Sequence, residues 1–167
     1  MRLMNNKLKK MVLSALLAAL CCVATMIIKI PTPFKGYLNL GDAFVMLSGW
    51  VLPTLYGFLA AGIGSAMADA FSGFLVYIPA TFIIKGLMAL SCHIISGKKE
   101  KILFNILGGI SAVIILVLGY FIYEWILYGV GTALADAPFN AAQGAVGLIL
   151  SLPVKKIFDK SKIGENI

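Results

Sequence analysis

The sequence predicts an all-α integral membrane protein: six transmembrane helices in a single membrane domain, residues 1–167, with both termini cytoplasmic. Three observations predict this. The chain is 60% hydrophobic with a mean hydropathy of +0.97, too apolar for a soluble fold of ordinary composition. The apolar residues fall in long runs. At ~20 residues per span the 167 residues hold about five or six spans and no soluble domain. The basic residues stand beside alternate runs. Arg2, Lys7, Lys9 and Lys10 precede the first. Lys98, Lys99 and Lys101 lie between the fourth and fifth, and Lys155, Lys156, Lys160 and Lys162 follow the sixth. With six spans, eleven of the fourteen basic residues share one side, and Lys29 and Lys35 take the other. The positive-inside rule assigns the richer side to the cytoplasm. The chain is thus expected in the cell membrane as a multi-pass protein. Its charge of +7 reads as topology signal, not as a nucleic-acid patch.

The first span is expected at about 11–28. Lys7, Lys9 and Lys10 before an apolar run imitate a signal peptide, but Ala18-Ala19-Leu20-Cys21 is a poor lipoprotein box. Leu20 stands where a small residue is wanted, so the span reads as retained. Pro31 and Pro33 exclude a helix in the loop up to Gly41. The uncharged stretch between Asp42 and Asp69 divides at Pro53 into spans at about 42–53 and 55–70. One continuous helix there would put Lys98–Lys101 opposite the N-terminus. Phe71 to Tyr77 reads as a loop. Pro79 suits the first turn of a span at about 79–96. The fifth span is expected at about 102–128, Gly129 to Pro138 as a loop, and the sixth span at about 139–154. No strand pattern and no internal repeat is evident.

Four charges, Asp42, Asp69, Lys85 and Glu124, fall in or at the edges of apolar runs. Each costs roughly 2.5–3.5 kcal/mol to insert, which points to a polar interior site. Asn140, Gln143, Gly144 and Gly147 follow i, i+3, i+4, i+7 spacing and share a helical face. They admit two readings, a ligand site or close helix packing with amides as glue. Tyr120, Tyr123 and Glu124 lie near the outer end of span five, followed by Trp125 and Tyr128. They read as an interfacial aromatic belt or as stacking rings around one acid for a heteroaromatic ligand. Lys85 pairs with Asp69 or Asp42, snorkels, or meets an anionic ligand. Asp42 and Asp69 read as capping or pairing groups, and His93 as structural. Cys21, Cys22 and Cys92 lie in apolar segments without metal spacing, so no metal site is expected. No phosphate-binding loop occurs, and no serine, histidine and acid are placed for catalysis. The chain is not read as an enzyme. It binds no cofactor of its own on this reading, and active transport needs a partner or an ion gradient.

The stretch Gly36-Tyr-Leu-Asn-Leu-Gly-Asp42 resembles the substrate-binding S components of energy-coupling-factor (ECF) vitamin transporters. So do Gly57-Phe-Leu-Ala-Ala-Gly-Ile-Gly-Ser-Ala-Met-Ala-Asp69, Gly73, Tyr77-Ile-Pro79, Thr81 and Ile83-Ile-Lys-Gly86. The resemblance is to the riboflavin-transporter-like group, which includes subunits for pyridoxine and hydroxymethylpyrimidine. Ala15 and Ala19 match its Ala-x-x-x-Ala pattern for contact with the transmembrane coupling subunit. The resemblance implies a six-helix fold with a ligand held near the outer face, among spans four to six and under the loop between spans one and two. It also implies a coupling (T) subunit and two ATPase subunits that use ATP, with no nucleic-acid partner. The substrate-binding residues expected on both grounds are Glu124, Tyr120, Tyr123, Asn140, Gln143 and Lys85. Glu124 with tyrosines and amides favours a pyridoxine- or hydroxymethylpyrimidine-like ring. Riboflavin or pantothenate are alternatives, as are a stand-alone secondary carrier and a small membrane enzyme or assembly subunit.

Overall fold

A computed structural model describes residues 6–31, 37–97 and 101–161. Arg2, Pro33, Lys35, Lys98, Lys99 and Lys162, which entered the sequence argument, lie outside these residues. Six α-helices are formed among the described residues: α1 (Asn6–Ile27), α2 (Asp42–Val51), α3 (Thr54–Phe71), α4 (Ile78–Ser96), α5 (Ile102–Tyr128) and α6 (Val130–Lys160). Among the described residues four stretches are long and apolar enough to cross a membrane: α1, Leu75–Ser96 with α4, α5 and α6.

The break between α2 and α3 has a local cause. Leu52 adopts extended geometry (φ −95°, ψ 151°), as the residue before a proline prefers, and α3 begins directly after Pro53. α2 is only 10 residues long, about 15 Å at 1.5 Å per residue. Eight of those residues are buried. It lies inside the bundle against α1, α3, α4 and α6, while α1 packs on α3, α3 on α4, α4 on α5 and α5 on α6. Val45, Met46, Ala61, Met88, Ala89 and Leu116 lie in the main core cluster. Pro79 sits in the first turn of α4, where its missing N–H costs nothing.

Two expectations are corrected. Gly129 to Pro138 is not a loop. Gly129 alone makes the turn, at φ +89°, and α6 starts at Val130. A positive φ is open to glycine at little cost. The helix then continues through Pro138, which lies inside α6 together with Pro153; packing of α6 on α2 and α5 overrides the local preference. The 29–41 segment is not strand-free either. β1 (Lys29–Pro31) and β2 (Tyr37–Asn39) pair as an antiparallel ribbon, with Ile30 opposite Leu38. A three-residue ladder is too short to show alternation. The connection from α3 to α4 falls where a loop is expected and includes one 3-10 turn, Leu75–Tyr77.

The helix directions sort the ends of the bundle. The end of α1, start of α2, end of α3, start of α4, end of α5 and start of α6 meet at one end, beneath the ribbon. Lys7, Lys9, Lys10, Lys101, Lys155, Lys156 and Lys160 belong to the opposite helix ends.

Candidate functional site

A cavity opens at the ribbon end of the bundle. With its mouth included it contains about 530 Å³ of space between atoms. Its floor is a network around Asp42, the first residue of α2, which is fully buried. Lys85 of α4, also buried, donates to Asp42 Oδ1 and forms an ion pair with it. Gln143 of α6 donates from Nε2 to Asp42 Oδ2 at 2.8 Å. The other end of the same amide, Oε1, accepts from the Asn39 backbone N–H at 3.1 Å and from Asn39 Nδ2 at 3.2 Å. One side chain thereby joins the ribbon, α2 and α6. Gly147 makes room for this: a Cβ there would stand 2.7 Å from Asp42 Cβ.

The roof is the ribbon. Tyr37 donates its phenol to Asp69 Oδ1 at 2.5 Å. Burial, with Asp69 beside it, pushes the Tyr37 phenol well above its usual range, so it stays a donor. Its ring lies 4.7 Å from that of Phe74. Lys29 donates to Ser72 Oγ and stands 5.5 Å from the centre of the Tyr37 ring. These contacts dock the ribbon on the α3–α4 connection.

The walls are aromatic and polar. Tyr120 of α5 shares a 2.8 Å hydrogen bond with Thr81 of α4, and the Lys85 ammonium lies 5.6 Å from its ring centre. Tyr77 packs 6.3 Å from Tyr120 and 5.7 Å from Tyr123, centre to centre. Glu124 lies against Asp136 and Tyr77. Several buried atoms at this cavity have no hydrogen-bond partner: Ser65 Oγ, Asp69 Oδ2, Tyr77 OH, Glu124 Oε2 and Asn140 Nδ2. Buried polar atoms are nearly always paired, with protein or with water, so these five leave hydrogen-bonding capacity open toward the cavity.

Lys85, Tyr120, Glu124, Asn140 and Gln143 all line this cavity. Tyr123 does not. It is half-buried, donates to the Val76 carbonyl and supports Tyr77 from behind. Of the open readings for Lys85, pairing with Asp42 is realised. His93 lies at the far end of the bundle, with its Nδ1 3.3 Å from the Gly49 carbonyl oxygen. Sequence reasoning missed Tyr37, Asn39, Ser65 and Asp136, and gave Asp69 only a structural role. Asp136 had a signal. It lies four residues before Asn140 on the face that carries Asn140 and Gln143, but assigning 129–138 to a loop hid it. Away from the cavity, Ala15 and Ala19 are exposed and line an apolar groove between α1 and α3, with Tyr56, Leu59 and Ile63 opposite.

A family model described as ECF-type riboflavin transporter, S component, matches residues 5–160. The chain belongs to this family. Among relatives of the S component, an uncharacterized protein of Pyrococcus woesei is 35% identical over 129 residues, covering 77% of this chain and 86% of that one. The thiamine precursor transporter HmpT of Lactococcus lactis subsp. cremoris (strain MG1363) is 26% identical over 166 residues, 98% of this chain and 96% of that one. A solved structure of the S component of a bacterial ECF transporter shares the fold, with a TM-score of 0.75 at 22% identity over 93% of this chain and 98% of that one. Family and fold are those of the substrate-binding S components of vitamin transporters, not of enzymes. Apolar helices and family together fit a multi-pass membrane protein.

Proposed function

We propose that this S component captures a small heteroaromatic vitamin or vitamin precursor, of pyridoxine or hydroxymethylpyrimidine kind, in the cavity beneath the ribbon. The observation that carries the reading is the convergence of five unpartnered buried polar atoms on one aromatic-walled cavity. A ring with a few polar substituents would stack on Tyr77 or Tyr120 and pair those atoms. Glu124, Asn140, Tyr120, Gln143 and Lys85 are the assigned binding residues, with Gln143 and Lys85 acting partly through Asp42. The name of the HmpT relative supports a thiamine precursor as the ligand.

In this reading α1 to α6 form one membrane domain with six membrane-embedded helices, and the lysine-rich end faces the cytoplasm. The cavity then opens outward, where an importer meets its ligand. The chain carries no cofactor. A coupling subunit docks on the Ala15–Ala19 groove, and two partner ATPases spend the ATP. Protein purified from a membrane should carry its ligand with it. Mass spectrometry of the small molecules released on denaturation tests this. A retained ring compound that rebinds the emptied protein is expected. An emptied protein that binds no vitamin or precursor would contradict the reading.

A further inference from the structure

The cavity is one-sided in its chemistry. Asp69, Glu124 and Asp136 bring three carboxyl groups to it, from α3, α5 and α6. Among the described residues Lys85 is the only cationic side chain in the lining, and Asp42 already matches its charge. Lys29 stands outside the lining, engaged with Ser72 and the Tyr37 ring. The unpartnered atoms repeat the imbalance. Asp69 Oδ2 and Glu124 Oε2 are carboxyl oxygens, whereas Asn140 Nδ2 is a pure donor. Tyr77 and Ser65 hydroxyls can serve either way.

The placement of Glu124 sharpens this. Its carboxyl lies against Asp136 of the neighbouring helix, so two acids face the same space. A buried carboxyl oxygen without a partner is costly, and Glu124 Oε2 and Asp69 Oδ2 are two such oxygens. A cation or an N–H edge reaching them relieves that cost and is favoured by the neighbouring Asp136. An amidine-like edge, with two parallel N–H groups, fits a carboxylate bidentately. Tyr77 and Tyr120 supply ring faces that stack on a heteroaromatic and attract positive charge. A phosphate or carboxylate would instead meet three acids.

We propose that the cavity selects a positively charged or amidine-edged nitrogen heteroaromatic, with ligand N–H groups set against Glu124, Asp136 and Asp69, and excludes anionic and phosphorylated molecules. This rests on the cavity being the substrate site. Asn140 then donates to a hydroxyl or ring nitrogen of the same ligand.

Matched probes test it, by titration calorimetry on the full chain in detergent. Pyridoxamine and pyridoxine differ by an ammonium for a hydroxyl. 4-Amino-5-hydroxymethyl-2-methylpyrimidine and its 4-hydroxy analogue differ by an exocyclic amine. Pantothenate and pyridoxal 5′-phosphate are the anions. In at least one pair the amino member should bind about 10-fold tighter or more, the scale of one charge-assisted hydrogen bond, and the anions should not bind. Glu124→Gln and Asp136→Asn turn an acceptor into a donor and should shrink that preference about 10-fold. Ligand-free melting controls for folding, and Asp69→Asn serves if either variant unfolds. Preference for the hydroxyl member or an anion overturns the proposal, as does failure of both amino probes to bind. An amino preference unchanged in every folded variant also overturns it. Failure of the substrate-site reading looks different: probes bind, and no cavity substitution alters the affinity of any of them.

Discussion

Lys85 and Asp42 form a buried ion pair at the base of the cavity, and Gln143 completes it. Removing one partner of such a pair leaves the other charge stranded, at about 3–5 kcal/mol. Lys85→Met should therefore destabilise the protein by that amount in denaturation measured in detergent. Lys85→Met with Asp42→Asn should recover part of the loss. A Lys85→Met protein as stable as the parent would show that the pair does not hold α2 to α4. Gly147→Ala tests the same floor from α6. Its Cβ would press on Asp42, and overpacking of this kind costs about 1–3 kcal/mol. At this scale the sequence was most informative where a polar side chain interrupts an apolar run. Lys85, Glu124, Asn140 and Gln143 stood out because burying them is expensive. Tyr37 and Asn39 did not, because a polar residue in a loop is unremarkable until its partner is known. Asn39 meets Gln143 across 104 positions of chain, and no local pattern encodes that.

Helix lengths were legible for α3, α4 and α5, where proline, glycine and lysine punctuate the chain. α6 was not. Pro138 suggests a boundary, yet the turn falls at Gly129 and the helix passes through Pro138. That misreading also removed Asp136 from the candidate site. The groove between α1 and α3 yields the prediction at this scale. Ala15 and Ala19 leave it open, and small residues permit a close helix contact. Ala15→Trp and Ala19→Trp should block assembly with the coupling subunit in co-purification, while ligand binding by the isolated chain persists. Normal assembly in both variants would remove the interface assignment. Equal loss of binding and assembly would indicate misfolding instead.

For the whole molecule, the lysine asymmetry and the position of the cavity give one testable topology. Lys101 begins the lysine-rich end of α5, whereas Leu75 is exposed beside the cavity. The three native cysteines are buried, so single introduced cysteines report cleanly. In whole cells, Leu75→Cys should react with an impermeant reagent and Lys101→Cys should not. The reverse pattern would invert the protein and place its cavity on the cytoplasmic side. Lysine positions carried this expectation without any structure. The enclosure of α2 was beyond them, since a short apolar helix inside a bundle and one facing lipid have the same composition.

The central claim is that the ribbon-end cavity holds the transported molecule, and affinity measured on cavity variants tests it most directly. The wild-type chain, Glu124→Gln and Asn140→Ala are titrated with the retained ligand by calorimetry. A hydrogen bond to a charged group contributes about 1.5–3 kcal/mol and a neutral one about 0.5–1.5. Glu124→Gln should weaken binding about 10- to 100-fold and Asn140→Ala by less, with little change in ligand-free melting. Tyr123→Phe, behind the cavity wall, should cost less than either. Unchanged affinity in both Glu124→Gln and Asn140→Ala would contradict the account and return these residues to helix packing.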